Sequence, residues 1–362
     1  MRVHPTSRST IVAWAAVLVG TALATVVFDQ LALPSPPLFG ALFVGMAWAI
    51  LGRGAPIQLP RLGSTVGQAL VGVSMGVLLN PATLRELGDN AGSIAAVNIG
   101  TLMLSLMVGR LFASWGRVSP ATGAFSMIAG GASGITAIAR ELGADDRVTS
   151  VVQYLRVVLI LVGMPLVTAW VFHPASTSVA PTVDGSNPLW LDLLFVAGSA
   201  VVGVLAARVV RFPSGSLLGP LFIAAALSIS GWVGAPSAPE AVVAVGYALV
   251  GLQVGLRFTR SSLRQVGRLL PLAIALIVAI VLGCAGFAVV LARVADVPLL
   301  DAYLATTPGG LYAVLATAAS SGADVTFVLA VQVVRLLLVL ASAPLIASWF
   351  RSHEGSWADD VD

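Results

Sequence analysis

Runs of apolar residues, separated by short polar stretches, fill the chain from residue 11 to residue 349. In the first half they occupy about 11–28, 38–51, 62–79, 91–113, 120–141 and 148–171. In the second half they occupy about 190–207, 216–232, 242–256, 269–291, 301–321 and 325–349. Roughly 20 apolar residues in a helix cross about 30 Å of hydrocarbon. The series therefore predicts an all-α integral membrane protein, with no stretch left over for a sizeable soluble domain. Amphipathic periodicity carries no information where every face of a segment is apolar.

The two halves are copies of one another. The stretch 213-PSGSLLGPLF matches 34-PSPPLFGALF, and 245-VGYALVGLQVG matches 66-VGQALVGVSMG, both at an offset of 179. From 34 to 170, 38 of 137 positions are identical to their partners at that offset, without a gap. A duplication follows: residues 1–172 form the first membrane repeat, 189–350 the second, 173–188 a polar connecting loop, and 351–362 a polar tail. The N-terminus mimics a signal peptide, with arginines followed by an apolar run. Its counterpart at 189–207 is internal, so the segment is expected to stay in the fold.

Charge sets the expected orientation. Only 10% of the chain is charged, against about 25% in soluble proteins. All 19 basic residues are arginine, and short cytoplasmic loops carry such residues in excess. In the first half they follow segments two and four (Arg53, Arg61, Arg110, Arg117), whereas in the second they shift to the alternate loops (Arg208, Arg211, Arg257, Arg260, Arg264, Arg268). The repeats are thus predicted to be inverted, each with about five transmembrane helices plus one re-entrant or broken helix, and with both termini cytoplasmic in a cell inner membrane. The net charge of +3 is loop arginine, and no basic stripe marks a nucleic-acid partner.

The fifth segment of each half holds the break, 126-SMIAGGASGIT and 305-ATTPGGLYAVL. Helix-breaking residues at equivalent places in inverted repeats are how secondary transporters build a midplane site, with helix N-terminal ends favouring anions. Gly130, Gly131, Ser133, Pro308, Gly309, Gly310 and Tyr312 are accordingly candidate substrate-binding residues, the alternative for the glycines being helix packing. Arg156 lies 11 residues after Asp145, or roughly 16 Å along a helix, near the midplane, and Arg335 is its partner. An arginine at that depth faces a cavity or a partner. Gln153 and Gln332 sit one turn earlier on the same face. The alternative for the arginines is that they tie down carbonyls at the broken helix ends. Asp145 and Asp324 are ion ligands or helix caps. The lone cysteine and three histidines make no ligand cluster, so no metal, cofactor or enzymatic chemistry is expected.

The paired blocks LPSPPLFGAL and FPSGSLLGPL, the VGxALVGxxxG segments, the Gly-Gly breaks and the GAD...Q..R stretches resemble the AbrB family of bacterial membrane proteins. That family is built from a duplicated module and is distinct from the small DNA-binding proteins of the same name. Its members carry labels such as ammonia monooxygenase or regulator of gene expression. The resemblance extends to cation/proton antiporters and anion transporters with crossed broken helices. It implies a secondary transporter of a small anionic solute, coupled to H+ or Na+ and possible as a homo-oligomer, or else a membrane-embedded regulator or sensor without transport. One departure is Ala129 where the second half has Pro308, which implies a milder first break.

Overall fold

A computed structural model describes residues 8–30, 35–52, 57–79, 82, 88, 90–128, 144–172, 187–210, 214–257, 260, 264 and 266–353. Among them there is no strand. The first repeat forms α1 (Arg8–Gln30), α2 (Pro36–Leu51), α3 (Arg61–Val77), α4 (Ala91–Gly116), α5 (Pro120–Met127) and α6 (Asp146–Val167). The second forms α7 (Leu189–Val210), α8 (Gly215–Ser230), α9 (Glu240–Gly255), α10 (Leu270–Val294), α11 (Leu299–Thr306), α12 (Leu311–Ser321) and α13 (Val325–His353). Proline begins several of them: it has no N–H to leave unpaired in a first turn, as at Pro36 and Pro120.

Five helices are long and apolar enough to cross a membrane, within Thr10–Gln30, Ala91–Gly116, Arg147–Met164, Leu189–Val210 and Leu270–Val294. Their outward faces carry bare hydrocarbon: Ile11, Val12, Leu18, Val19 and Leu23 of α1 are each more than half exposed. Water penalises such a surface, whereas a lipid bilayer would not.

The repeat is visible in the backbone. Four non-glycine residues adopt left-handed conformations among the described residues, and they form two pairs at the repeat offset, Ser35 with Ser214 and Arg117 with Asp296. α5 and α11 also stop alike, Ile128 at φ −68°, ψ 127° and Thr307 at φ −59°, ψ 126°. Pro308 bars Thr307 from helical backbone. The first helix stops at the equivalent residue with no proline after it.

The chain divides into two compact units, each drawn from both repeats. The first comprises Met1–Pro81, Met164–Arg260 and Leu315–Val325. Here α3 packs on α8 and α9 on α2. A Cβ at Gly72 would lie within 3 Å of the Leu217 carbonyl and one at Gly76 within 3 Å of the Leu221 carbonyl. The repeat counterparts obey the same rule, Gly251 against Leu38 and Gly255 against Leu42. Residue numbers rise together along each pair, so α3 runs parallel to α8 and α9 to α2. Asp192 fastens the start of α7 by accepting from the Ser237 N–H at 3.1 Å and hydroxyl at 2.6 Å.

The second unit comprises Ala82–Gly163, Ser261–Val314 and Thr326–Asp362. Its centre is the pairing of α4 with α10, which are repeat equivalents. Gly100 meets Phe287, Leu104 meets Gly283, and Gly116 meets Leu269 and Leu272. One number falls as the other rises over the whole length, so these two equivalent helices are antiparallel. Val108, Phe112, Met127, Val152, Ile277 and Ile280 form the core between α4, α10, α5 and α6.

Candidate functional site

The second unit gathers the charged and broken elements. α6 lies along the half-helix α5: the Asp145 N–H donates to Thr122 Oγ1 at 2.9 Å, Gln153 Nε2 to the Phe125 carbonyl at 2.7 Å, and Arg156 Nη1 to the Met127 carbonyl at 2.9 Å. The second repeat makes the equivalent contacts. Gln332 Nε2 donates to the carbonyls of Leu304, Ala305 and Thr307, and Arg335 Nη1 to those of Thr306 at 3.4 Å and Thr307 at 2.9 Å. A helix ends with four carbonyls lacking intrahelical donors. Gln and Arg one turn apart on the following helix supply those donors, in apolar surroundings where each unpaired group costs about 1–3 kcal/mol.

Both arginines are buried, Arg156 6% and Arg335 7% exposed, and lie within electrostatic reach of each other. Among the described residues their hydrogen bonds go to main-chain carbonyls and one glutamine oxygen, none to a carboxylate. The half-helix ends they touch are C-terminal, carrying about half a negative charge each. These ends offset part of the arginine charge, while the N-terminal end of α12, at Leu311, also stands at the second break.

The second break sits on the arginine-bearing helix of the other repeat. A Cβ at Gly309 would come to 2.9 Å from Ile160, whereas one at Gly310 would rest at 3.7 Å from Val157. Neither glycine adopts positive φ; in this region that conformation belongs to Gly322, at φ 72°. Close approach is the physical reason for Gly309, and Gly310 has room for a methyl. Gly309→Leu should therefore lower stability, while Gly310→Ala should leave it within about 0.5 kcal/mol; thermal denaturation of the two purified variants checks this.

Pro308 and Arg335 line a cleft with Thr101, Leu102, Ser105 and Val339, offering about 10 Å³ of free space, about the room of one water. Thr101 and Ser105 spend their hydroxyl protons on the Asn98 and Thr101 carbonyls of their own helix, so lone pairs remain for the cleft. These two residues are missing from the sequence reading. Their signal was a row, Asn98, Thr101 and Ser105, at helical spacing on an otherwise apolar segment.

Asp145 is a helix cap. Its Oδ1 accepts from the N–H groups of Arg147 at 2.8 Å and Val148 at 3.2 Å. Asp324 stands at the equivalent place before α13. Gly130, Gly131 and Ser133 lie outside the described residues, as does the Tyr312 side chain. No group of three His, Cys, Asp or Glu side chains that could hold a metal occurs among the described residues.

Comparison with known proteins places this arrangement. Residues 38–351 match the family model described as transition state regulatory protein AbrB. The chain is 32% identical over 340 residues to "Putative regulator AbrB" of Escherichia coli (strain K12), covering 94% of this chain and 97% of that protein. It is 26% identical over 321 residues to "Uncharacterized protein YhjN" of Bacillus subtilis (strain 168), covering 82% of this chain and 81% of that one. With that span and that identity, this apolar, duplicated, helical chain belongs to the AbrB family.

Proposed function

We propose that the protein is a secondary transporter of a small organic anion, working by alternating access between two inverted repeats in the cell inner membrane. The observation that carries this reading is the pair Arg156 and Arg335, buried, mutually within electrostatic reach and, among the described residues, hydrogen-bonded only to neutral groups. Burying an unneutralised charge is costly, and an arriving carboxylate removes much of that cost. Inversion is supported by the antiparallel packing of α4 on its own repeat equivalent α10, and by the alternating loop arginines, which also favour cytoplasmic termini. The cleft at Arg335 admits about one water, as befits a closed state that opens to load solute. A proton or sodium gradient supplies the coupling, and no bond is made or broken.

A regulator that binds the same anion without moving it would use the same residues, and the name of the Escherichia coli relative points that way. Ligand binding is common to both readings. Thermal stabilisation of the purified protein, screened over mono- and dicarboxylates against their neutral amides and matched amines, should respond to carboxylates alone. Stabilisation by amines, with none by any carboxylate, contradicts the anion site.

A further inference from the structure

The two halves of the site are not equally satisfied. In the second, Gln332 Oε1 accepts from Arg335, and Ala305 and Val328 stand beside it with no polar side chain. In the first, the equivalent positions are Ser126 and Thr149. Ser126 Oγ, Thr149 Oγ1 and Gln153 Oε1 are all buried, with side chains 0%, 0% and 2% exposed, and none has a hydrogen-bond partner among the described residues. Three orphaned oxygens on two helices that pack together call for an explanation, since buried polar atoms are nearly always paired.

They converge by construction. Asp145, Thr149, Gln153 and Arg156 recur at spacings of four, four and three, so they share one face of α6. Gln153 and Arg156 of that row reach α5 through their side chains, and Asp145 through its main-chain N–H. Helical spacing puts Thr149, one turn before Gln153, on the same face. On α5, Ser126 is one turn after Thr122, whose hydroxyl meets Asp145, and it neighbours the Phe125 carbonyl that Gln153 grips.

We infer that Ser126 Oγ, Thr149 Oγ1 and Gln153 Oε1 form a binding site for a dehydrated monovalent cation, sodium, which is the coupling ion. Hydroxyl and amide oxygens are hard neutral ligands of the kind that hold sodium at broken transmembrane helices. None of the three titrates near neutral pH, so they offer no place for a transported proton. Arg156, one turn beyond Gln153, repels a cation until an anion neutralises it. That repulsion is the coupling: the anion should raise sodium affinity on the order of 10- to 100-fold, and sodium should raise anion affinity by the same factor.

The inference rests on the transporter reading for the word coupling alone, since sodium binding is measurable without solute. The test uses the full chain in lipid nanodiscs, with thermal denaturation in NaCl, KCl and choline chloride at constant chloride. Sodium alone should raise Tm with the logarithm of its concentration above the dissociation constant, by about 2–4 °C at ten times that constant. The S126A/T149V variant copies the residues the second repeat carries at these positions, so its Tm in choline should stay near that of the parent while the sodium response disappears. If that variant misfolds, Thr149→Val alone should raise the sodium midpoint at least ten-fold. Equal Tm in sodium and choline, or an undiminished response in the variants, overturns the site, the oxygens then being hydrated or sodium bound elsewhere. That result leaves the anion reading standing. Failure to transport any anion with the sodium response intact does the reverse.

Discussion

Replacing Arg156 and Arg335 together by glutamine should abolish carboxylate binding while the protein still inserts, and the single changes should separate two roles. Among the described residues Arg156 has one hydrogen bond, to a main-chain carbonyl, and its buried Nε has no partner. Arg156→Gln should weaken binding by about 10- to 100-fold, the worth of one charge-assisted hydrogen bond, with a modest loss of stability. Arg335 holds the Thr306 and Thr307 carbonyls and the Gln332 oxygen at once. Arg335→Gln should cost similar affinity and, in addition, about 1–3 kcal/mol of stability for each carbonyl left bare. Lysine keeps the charge without the planar fork and should restore affinity only in part. Calorimetric titration with the carboxylate found in the screen, beside thermal denaturation, separates the two effects. Unchanged affinity in every variant that folds would make both arginines purely structural.

The second large effect belongs to the glycine seams of the first unit. A methyl at Gly72 or Gly251 would collide with the backbone carbonyl of Leu217 or Leu38, and no rotamer change relieves a Cβ against a carbonyl. Gly72→Ala and Gly251→Ala should each destabilise by about 1–3 kcal/mol or more, and by similar amounts, because the two seams are copies. Gly92→Ala at the start of α4 meets nothing within 4 Å and should be neutral or slightly stabilising, alanine being the better helix former. Tm values of the three variants decide it. Unequal losses at Gly72 and Gly251 would mean that the repeats do not pack alike.

The helices and the break before Pro308 were legible because lipid forces a simple code: apolar length sets a crossing, and Pro or Gly-Gly sets an interruption. The placement of Arg156 and Arg335 well inside their helices followed from counting residues. The partners of those arginines did not follow, because the 179-residue offset shows which residues are equivalent but not which ones touch. Both readings of the arginines, free for a solute or tied to carbonyls, proved geometrically compatible. Each guanidinium holds its own half-helix, and among the described residues no carboxylate is hydrogen-bonded to either. The unequal polarity of the halves was hidden for a related reason. Repeat identities such as Gln153 with Gln332 draw the eye, whereas Ser126 opposite Ala305 and Thr149 opposite Val328 are differences that matter only once α5 and α6 lie side by side. At the second break the glycine makes room: Gly309 approaches Ile160 closely, with no left-handed backbone.

If the two buried arginines carry an anion across the membrane, a radiolabelled small carboxylate should enter proteoliposomes that hold the protein under an imposed sodium gradient. That uptake should saturate, fall away without the gradient and disappear in the Arg156→Gln/Arg335→Gln variant. Binding of the same carboxylate without uptake under any gradient would contradict transport and leave a membrane-embedded sensor.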